Sequence, residues 1–267
     1  MKETGLMFKA PLVRAILEGR KTQTRRVAKP VKHPDLGNLY TPGALVMERE
    51  PQHVIDRACP LGRPGDRIYV RETWADLIAV SPSTDEPMAI GPGERLIEAP
   101  TSWTDDKGRT RWHFDGQVIA YRANSNVEFC DGDGFTGEFA DKSDMPRWRP
   151  SIHMPKEFAR IWLEITGVRV ERLQDISEDD ADAEGCERLE TERYERDWKL
   201  CPKCGGTRLH DALGAGLGVI HDVDCRECDT YVKRFRHLWL STGGDWDANP
   251  WVWVIDFKTI STNGRPA

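Results

Sequence analysis

APLVRAILEGRKTQTRR, residues 10–26, starts as a helix and ends as a run of positive charge. Leu12, Val13, Ile16 and Leu17 share one helical face, with Arg14 and Glu18 on another. Pro11 suits the first turn, where its missing N–H costs nothing. Gly19 can take a positive φ just past the last turn, so the helix is expected to stop there. The segment that leaves it is RKTQTRR, within a stretch (residues 18–30) that holds three arginines, two lysines and two threonines. Lys21 and Thr24 are three apart and would face opposite sides of a regular strand. They can act together only if KTQT forms a turn, a bulge or a helical turn.

That local positive charge stands out because the whole 267-residue chain carries a net charge of −6. Any phosphate contacts must therefore come from a basic patch rather than from the overall field. The length allows one large domain or two small ones with a proper core. The longest apolar runs, such as WVWVI (251–255), are too short to span a bilayer. The start MKETGLMFKA lacks an extended apolar stretch of the secretory kind, so the cytoplasm is the expected compartment and no membrane partner is expected.

Further elements follow from periodicity and turn residues. LMFKAP (6–11) reads as a short strand running into a turn. GRPGDRIYVRETW (62–74) reads as a turn and a strand, VIAYRA (118–123) as a second, and RIWLEITGVRVERL (160–173) as one or two more, interrupted at Gly167. WVWVIDFKTI (251–260) alternates with Trp251, Trp253, Ile255 and Phe257 on one face. ISEDDADAEG (176–185) is a helix start. Ser177 caps it, Asp180 is the capping-box partner three later, Ile176 and Ala181 form a hydrophobic staple, and Gly185 stops it. Residues 79–111 and 124–146, rich in Gly, Pro, Ser and charge, read as irregular surface insertions.

Of the seven cysteines, four form C-x2-C, twenty residues, C-x2-C: Cys201, Cys204, Cys225 and Cys228. A two-residue gap lets both thiolates of a knuckle face one ion, and two knuckles complete a tetrahedral zinc site. Four sulfur ligands leave no open position, so the expected zinc is structural. His210 and His221 are alternative ligands to a shell that the cysteines already fill. GAGLG (214–218) lacks dinucleotide-fingerprint spacing and reads as a flexible loop.

The short helix followed by GRKTQTRR resembles the G-x-K-T-x-T-x-R signature of ASCH domains, a branch of the PUA-like superfamily. GDRIYVRETW, LQDISEDDADAEG and NPWVWVIDF (249–257) resemble later segments of the same domains, in the same order. The likeness covers 6–28, 62–78, 116–124, 158–188 and 249–260, and is to the longer phage- and prophage-associated members. It implies an α+β fold: a small PUA-like β-barrel flanked by helices, with a cleft beside the first helix. The chain would be one discontinuous domain (about 1–190 and 235–267), with a zinc-binding insertion at 198–232.

The resemblance also implies partners and chemistry. Such domains often bind RNA or modified bases, and one small bacterial branch hydrolyses N(4)-acetylcytidine with a Lys and a Thr of the signature and a downstream Glu. Lys21 and Thr24 match the first two, and Glu184 is the best match to the third. Arg20, Arg25 and Arg26 are then candidate phosphate contacts. A threonine hydroxyl is weak until a base removes its proton. A lysine can serve only if its pKa falls well below about 10.4, through burial or nearby cations. Glu72 is another candidate acid, or a partner for Arg71, and Thr22 is an alternative hydroxyl.

Trp74, Trp112 and Trp148 lie beside arginines and are candidate base-stacking groups, or packing under loops, and KRFRH (233–237) is a further basic-aromatic patch. The expected function is recognition of RNA, DNA or a modified nucleoside, with amide hydrolysis at the same pocket. The alternatives are a non-catalytic reader, a phage structural or protein-interaction component, and a ribonuclease, although no histidine pair has diagnostic spacing.

Overall fold

The computed structural model describes residues 1–78, 95–97, 103–104, 110–111, 117–121, 123, 148–186, 201–205, 208–214 and 218–266. In chain order the elements are β1 (Glu3–Met7), α1 (Ala10–Leu17), β2 (Gln23–Val27), β3 (Val31–Lys32), β4 (Leu39–Tyr40), α2 (Pro42–Met47), α3 (Gln52–Ala58), β5 (Arg67–Arg71), β6 (Trp74–Ile78) and β7 (Arg95–Ile97). There follow β8 (Trp103–Thr104), β9 (Thr110–Arg111), β10 (Gln117–Tyr121), β11 (Trp162–Arg172), α4 (Glu178–Ala183), β12 (Leu209–Leu213), β13 (Val219–Asp224), α5 (Tyr231–Ser241) and β14 (Trp251–Ser261). This is a mixed α+β molecule with several sheets and few helices.

The largest sheet has the strand order β1-β5-β11-β14-β2. Among the described residues it is an open row with β1 and β2 at its edges, and no closed barrel is present. In β14 the buried residues run from Val252 to Ile255 without alternating. Both faces of that strand are covered, so Val252 and Val254 join Trp253, Ile255 and Phe257 in the core, while Trp251, expected on the same stripe, is only partly buried. β11 is one continuous strand and is not broken at Gly167. The glycine serves a close approach instead: a Cβ there would sit 2.8 Å from Asp256 Oδ2.

The chain divides into two compact units. The first comprises Met1–Thr4, Ala15–Ile68 and Leu163–Ile260. Its buried apolar residues include Ile16, Leu45, Val54, Leu163, Ile165, Ala181 and Val252–Ile255. α4 forms as its sequence requires: the Ser177 side chain accepts from the Asp180 amide, Ile176 and Ala181 are buried, and Gly185 follows with φ +80°. The Asp180 carboxylate does not reach back as in a capping box; Gln23, Arg25 and Arg169 take it instead.

The second unit comprises Gly5–Arg14, Tyr69–Trp162 and Ser261–Ala267. Within it β6, β10 and β7 form a three-stranded antiparallel sheet. Trp74, Tyr121, Met154 and Ala159 form one buried cluster in it, packed by Tyr69 and Phe158. Trp74 is therefore no exposed stacking platform: Phe158 meets it edge-on, and the Arg149 guanidinium lies 4.9 Å from its ring centroid. The 79–111 segment is not wholly irregular, since β7, β8 and β9 lie within it. Residues 124–146 and Trp112 lie outside the described residues.

Glu72 does not pair with Arg71. It accepts two hydrogen bonds from Arg160, from Nε and Nη2 at 2.9 Å each, and the pair is buried. The Arg160 guanidinium also stacks 4.2 Å from the Tyr121 ring centroid. Burial pushes the Glu72 carboxyl above its ordinary value, although Arg160 pulls the other way. The folded state therefore holds this proton to higher pH than the unfolded chain, and Glu72 ionisation erodes stability as pH rises from about 4.3 towards the raised value. Glu72→Gln is expected to lack that slope in melting temperature between pH 4 and 7. An unchanged slope in the variant would assign it to other groups.

Candidate functional site

Where α1 ends, the backbone leaves no freedom to the segment carrying Lys21. Gly19 turns with φ +73°, and the amides of Arg20 and Lys21 both donate to the Ala15 carbonyl, at 2.8 and 2.9 Å. Thr22 then donates to the Ala183 carbonyl at 2.9 Å and accepts from the Phe257 amide at 2.8 Å. The turn is thereby tied to α1, to the end of α4 and to β14. Gly185 permits this closeness, because a Cβ there would lie 2.8 Å from Lys21 Cβ and 2.9 Å from Ala15 Cβ. Gly185→Ala combines that clash with a left-handed φ and is expected to cost on the order of 1–3 kcal/mol. A urea titration checks this; an unchanged midpoint would show that the turn relaxes freely.

Lys21 is buried, and its ammonium donates to the Gln23 carbonyl at 2.6 Å, the Glu184 carbonyl at 2.7 Å and Glu184 Oε2 at 2.7 Å. An ammonium has three protons to give, and these bonds use them all. Glu184 comes from the C-cap of α4, 163 residues further along the chain. Its second oxygen, Oε1, accepts from Arg25 Nη1 at 3.2 Å. Burial pulls the Lys21 pKa down, and the Glu184 carboxylate opposes that shift without cancelling it.

Around this pair lies a wider ionic network. Arg25 donates to Gln23 Oε1, to Glu171 Oε1 through Nη2 at 2.6 Å and to Asp180 Oδ2 at 3.2 Å. Arg169 reaches Asp180 at 2.8 Å, Asp256 at 3.1 Å and Glu171 at 3.1 Å. Gln23 Nε2 donates to Asp180 and Asp256, at 3.0 and 2.6 Å. Ion pairs link three cations (Lys21, Arg25, Arg169) to four carboxylates (Glu171, Asp180, Glu184, Asp256), and the Arg26 charge also acts on Glu184 and Lys21. Burial pushes the Asp180 carboxyl up, but the Gln23 amide and the Arg169 and Arg25 cations outweigh it and hold the group below its usual range. The network is sealed at Lys21 and open at Asp256, whose side chain is 38% exposed.

The structure thus brings Lys21, Arg25 and Glu184 together and leaves Thr24 apart. Strand β2 is regular from Gln23 to Val27 against β14. Alternation turns Gln23 and Arg25 to the face with the acids and Thr24 to the other. Thr24 is buried there, and its hydroxyl is not among the partners of Lys21, Arg25 or Glu184 given above. Thr22 is exposed. Arg20 turns outward to Glu18, with Nε at 2.7 Å from Oε2. Arg25 is enclosed by carboxylates rather than presented to a phosphate, whereas Arg26 is half-buried at the next strand position. Asp180, named only as a capping partner, belongs to the cluster, as do Gln23, Arg169, Glu171 and Asp256, which no motif named. The i, i+2, i+4 spacing of Lys21, Gln23 and Arg25 carried a signal for Gln23.

The four cysteines also converge. The sulfurs of Cys201, Cys204, Cys225 and Cys228 lie within 4.8 Å of one another, and all four residues are buried. Gly205, with φ +57°, closes the first knuckle, and its amide donates to the Cys201 carbonyl at 2.9 Å. Between the knuckles β12 and β13 pair antiparallel. Neither His210 nor His221 belongs to the sulfur group, and His221 faces Asp211 instead. Four thiols so arranged can hold a metal ion.

No family model matches this chain, and no curated protein or solved structure matches it either. Among the described residues no helix is long and apolar enough to cross a membrane.

Proposed function

We propose that this chain is a PUA-like protein of the ASCH type that binds a nucleic acid or a modified nucleoside and hydrolyses an acylated exocyclic amine of the cytidine kind. One observation carries the reading: a fully buried lysine hydrogen-bonded to a carboxylate at 2.7 Å, its pKa lowered by burial. A lysine shifted towards neutrality in contact with a carboxyl group is suited to moving protons. The supports for the family are the signature at 19–26 and the order of the elements around it. The open sheet of β1, β5, β11, β14 and β2 would be the part of the barrel that the described residues include.

In the proposed reaction the Lys21 proton passes to Glu184, giving a neutral amine and a neutral acid. The amine accepts a proton from an attacking water as its oxygen bonds to the acyl carbon. Glu184 donates its proton to the departing exocyclic nitrogen as the C–N bond breaks. The products are the carboxylic acid and the free amino base. Thr24, on the other face of β2, is given no part, and Arg20, beside Glu18, and Arg26 are the proposed phosphate contacts.

The metal held by the four cysteines is proposed to be zinc, whose preference for four thiolates in a tetrahedron fits the sulfur group. It supplies folding energy, not chemistry.

Incubation with N(4)-acetylcytidine tests the reading. Cytidine and acetate should appear, Lys21→Ala should abolish them, and Thr24→Val should retain them. No turnover by the intact protein, or undiminished turnover by Lys21→Ala, would remove the hydrolase. A second reading, a reader without catalysis, is favoured by the saturated hydrogen bonds of Lys21. It predicts salt-dependent nucleic-acid binding, weakened by Arg26→Ala, with no turnover.

A further inference from the structure

The thiol cluster and the Lys21–Glu184 pair are separate sites, yet α5 touches both. Its first amides, Tyr231 and Val232, donate to the Glu178 carboxylate of α4 at 2.7 and 3.4 Å. Thr230 caps the same end by accepting from the Lys233 amide at 3.2 Å. One turn along, Arg234 is completely buried, and its Nε donates to the carbonyl of Cys228, the last cysteine of the cluster, at 2.9 Å. The neighbouring Phe235 turns its ring towards Arg25, whose guanidinium carbon lies 5.7 Å from the ring centroid. Arg25 in turn holds Glu184 Oε1 and the α4 residue Asp180. Cys186 lies in the same neighbourhood: burial and the Glu184 charge push its thiol up, and the Lys21 and Arg234 cations oppose them.

We infer that Arg234 and Phe235 are positioning residues through which the metal-loaded cysteine cluster holds Arg25 and Glu184 in place, so that the pair is assembled only when the cluster is. Arg234 fixes α5 to the second knuckle. Phe235 fixes the orientation of the guanidinium that orders the Glu184 carboxylate. The physical basis is a short chain of packed, desolvated groups with few alternative arrangements. The inference rests on the pair being the working site, and hydrogen exchange tests the coupling without using catalysis.

The experiment compares backbone amide exchange in zinc-loaded protein, in chelated protein under reducing conditions, and in Phe235→Ala and Arg234→Met with their metal content measured. Chelation should deprotect 201–205 and 218–228 and speed exchange at 20–25 and 178–186 by about tenfold or more. The two variants, still metal-loaded, should reproduce the second change without the first. Residues 69–74 and 154–162 should exchange as before, which separates loosening of the pair from general unfolding. Unchanged protection at 178–186 after the knuckles open would overturn the inference, as would unchanged protection there in both variants. Failure of the nucleoside reading would instead appear as loaded, fully protected protein that neither binds nor turns over N(4)-acetylcytidine.

Discussion

Stripping the metal under reducing conditions is expected to unfold the segment 201–228 and to make its four thiols reactive. Two features make the effect large. No residue of β12 or β13 is buried, and Leu213, Val219 and Ile220 are open to solvent. Among the described residues of the segment, the buried ones are the cysteines themselves. There is little apolar burial to offset the conformational entropy of ordering it. Metal binding worth about 10–16 kcal/mol in small zinc-finger peptides is on the scale needed. A single Cys228→Ser substitution removes a ligand and should act in the same direction. Thiol titration before and after chelation, with metal analysis, checks this. Cysteines equally protected with and without metal would mean that packing alone holds the segment.

Glu184→Ala is the substitution expected to cost most in the ionic network. It removes a carboxylate that meets both Lys21 and Arg25 and takes the ion-pair partner at 2.7 Å from a buried ammonium. Breaking a buried ion pair from one side typically costs about 3–5 kcal/mol. The converse variant, Lys21→Met, leaves Glu184 with Arg25, so it should be milder. It also carries a pH signature. Because burial depresses the Lys21 pKa, the unfolded chain binds this proton more readily than the folded one. The intact protein should therefore gain stability as pH rises from the depressed value towards about 10.4, and Lys21→Met should lack that gain. Urea titrations at pH 7 and pH 10 measure both effects. If Lys21→Met is fully stable and fully active, the pair is structural and replaceable, and the proposed chemistry goes with it.

Much of the molecule was legible because its causes are local. α1 stops at Leu17, just before Gly19, and α4 runs between Ser177 and Gly185, each where a cap or a turn residue requires it, and β14 covers WVWVI although its burial does not alternate. The second tier was not. Gly167 read as a break because glycine weakens strands, and only the Asp256 carboxylate opposite it shows why one was needed. Asp180 read as a helix cap because Ser-x-x-acid is a local pattern. Its carboxylate goes instead to Gln23, Arg25 and Arg169, which no local rule brings near. Glu72 had an arginine beside it in sequence, but neighbours on a strand face opposite ways, and its partner is Arg160.

The sequence by itself determined the α+β class, the turn after the first helix and the cysteine quartet, since two C-x2-C knuckles need only short-range geometry to face one ion. Tertiary structure decided which charges meet. Lys21 and Glu184 are 163 residues apart, and strand alternation, not the signature, put Arg25 beside them and Thr24 behind. A desolvated charge keeps only the partners that packing places within about 3 Å, and chain order does not encode that distance.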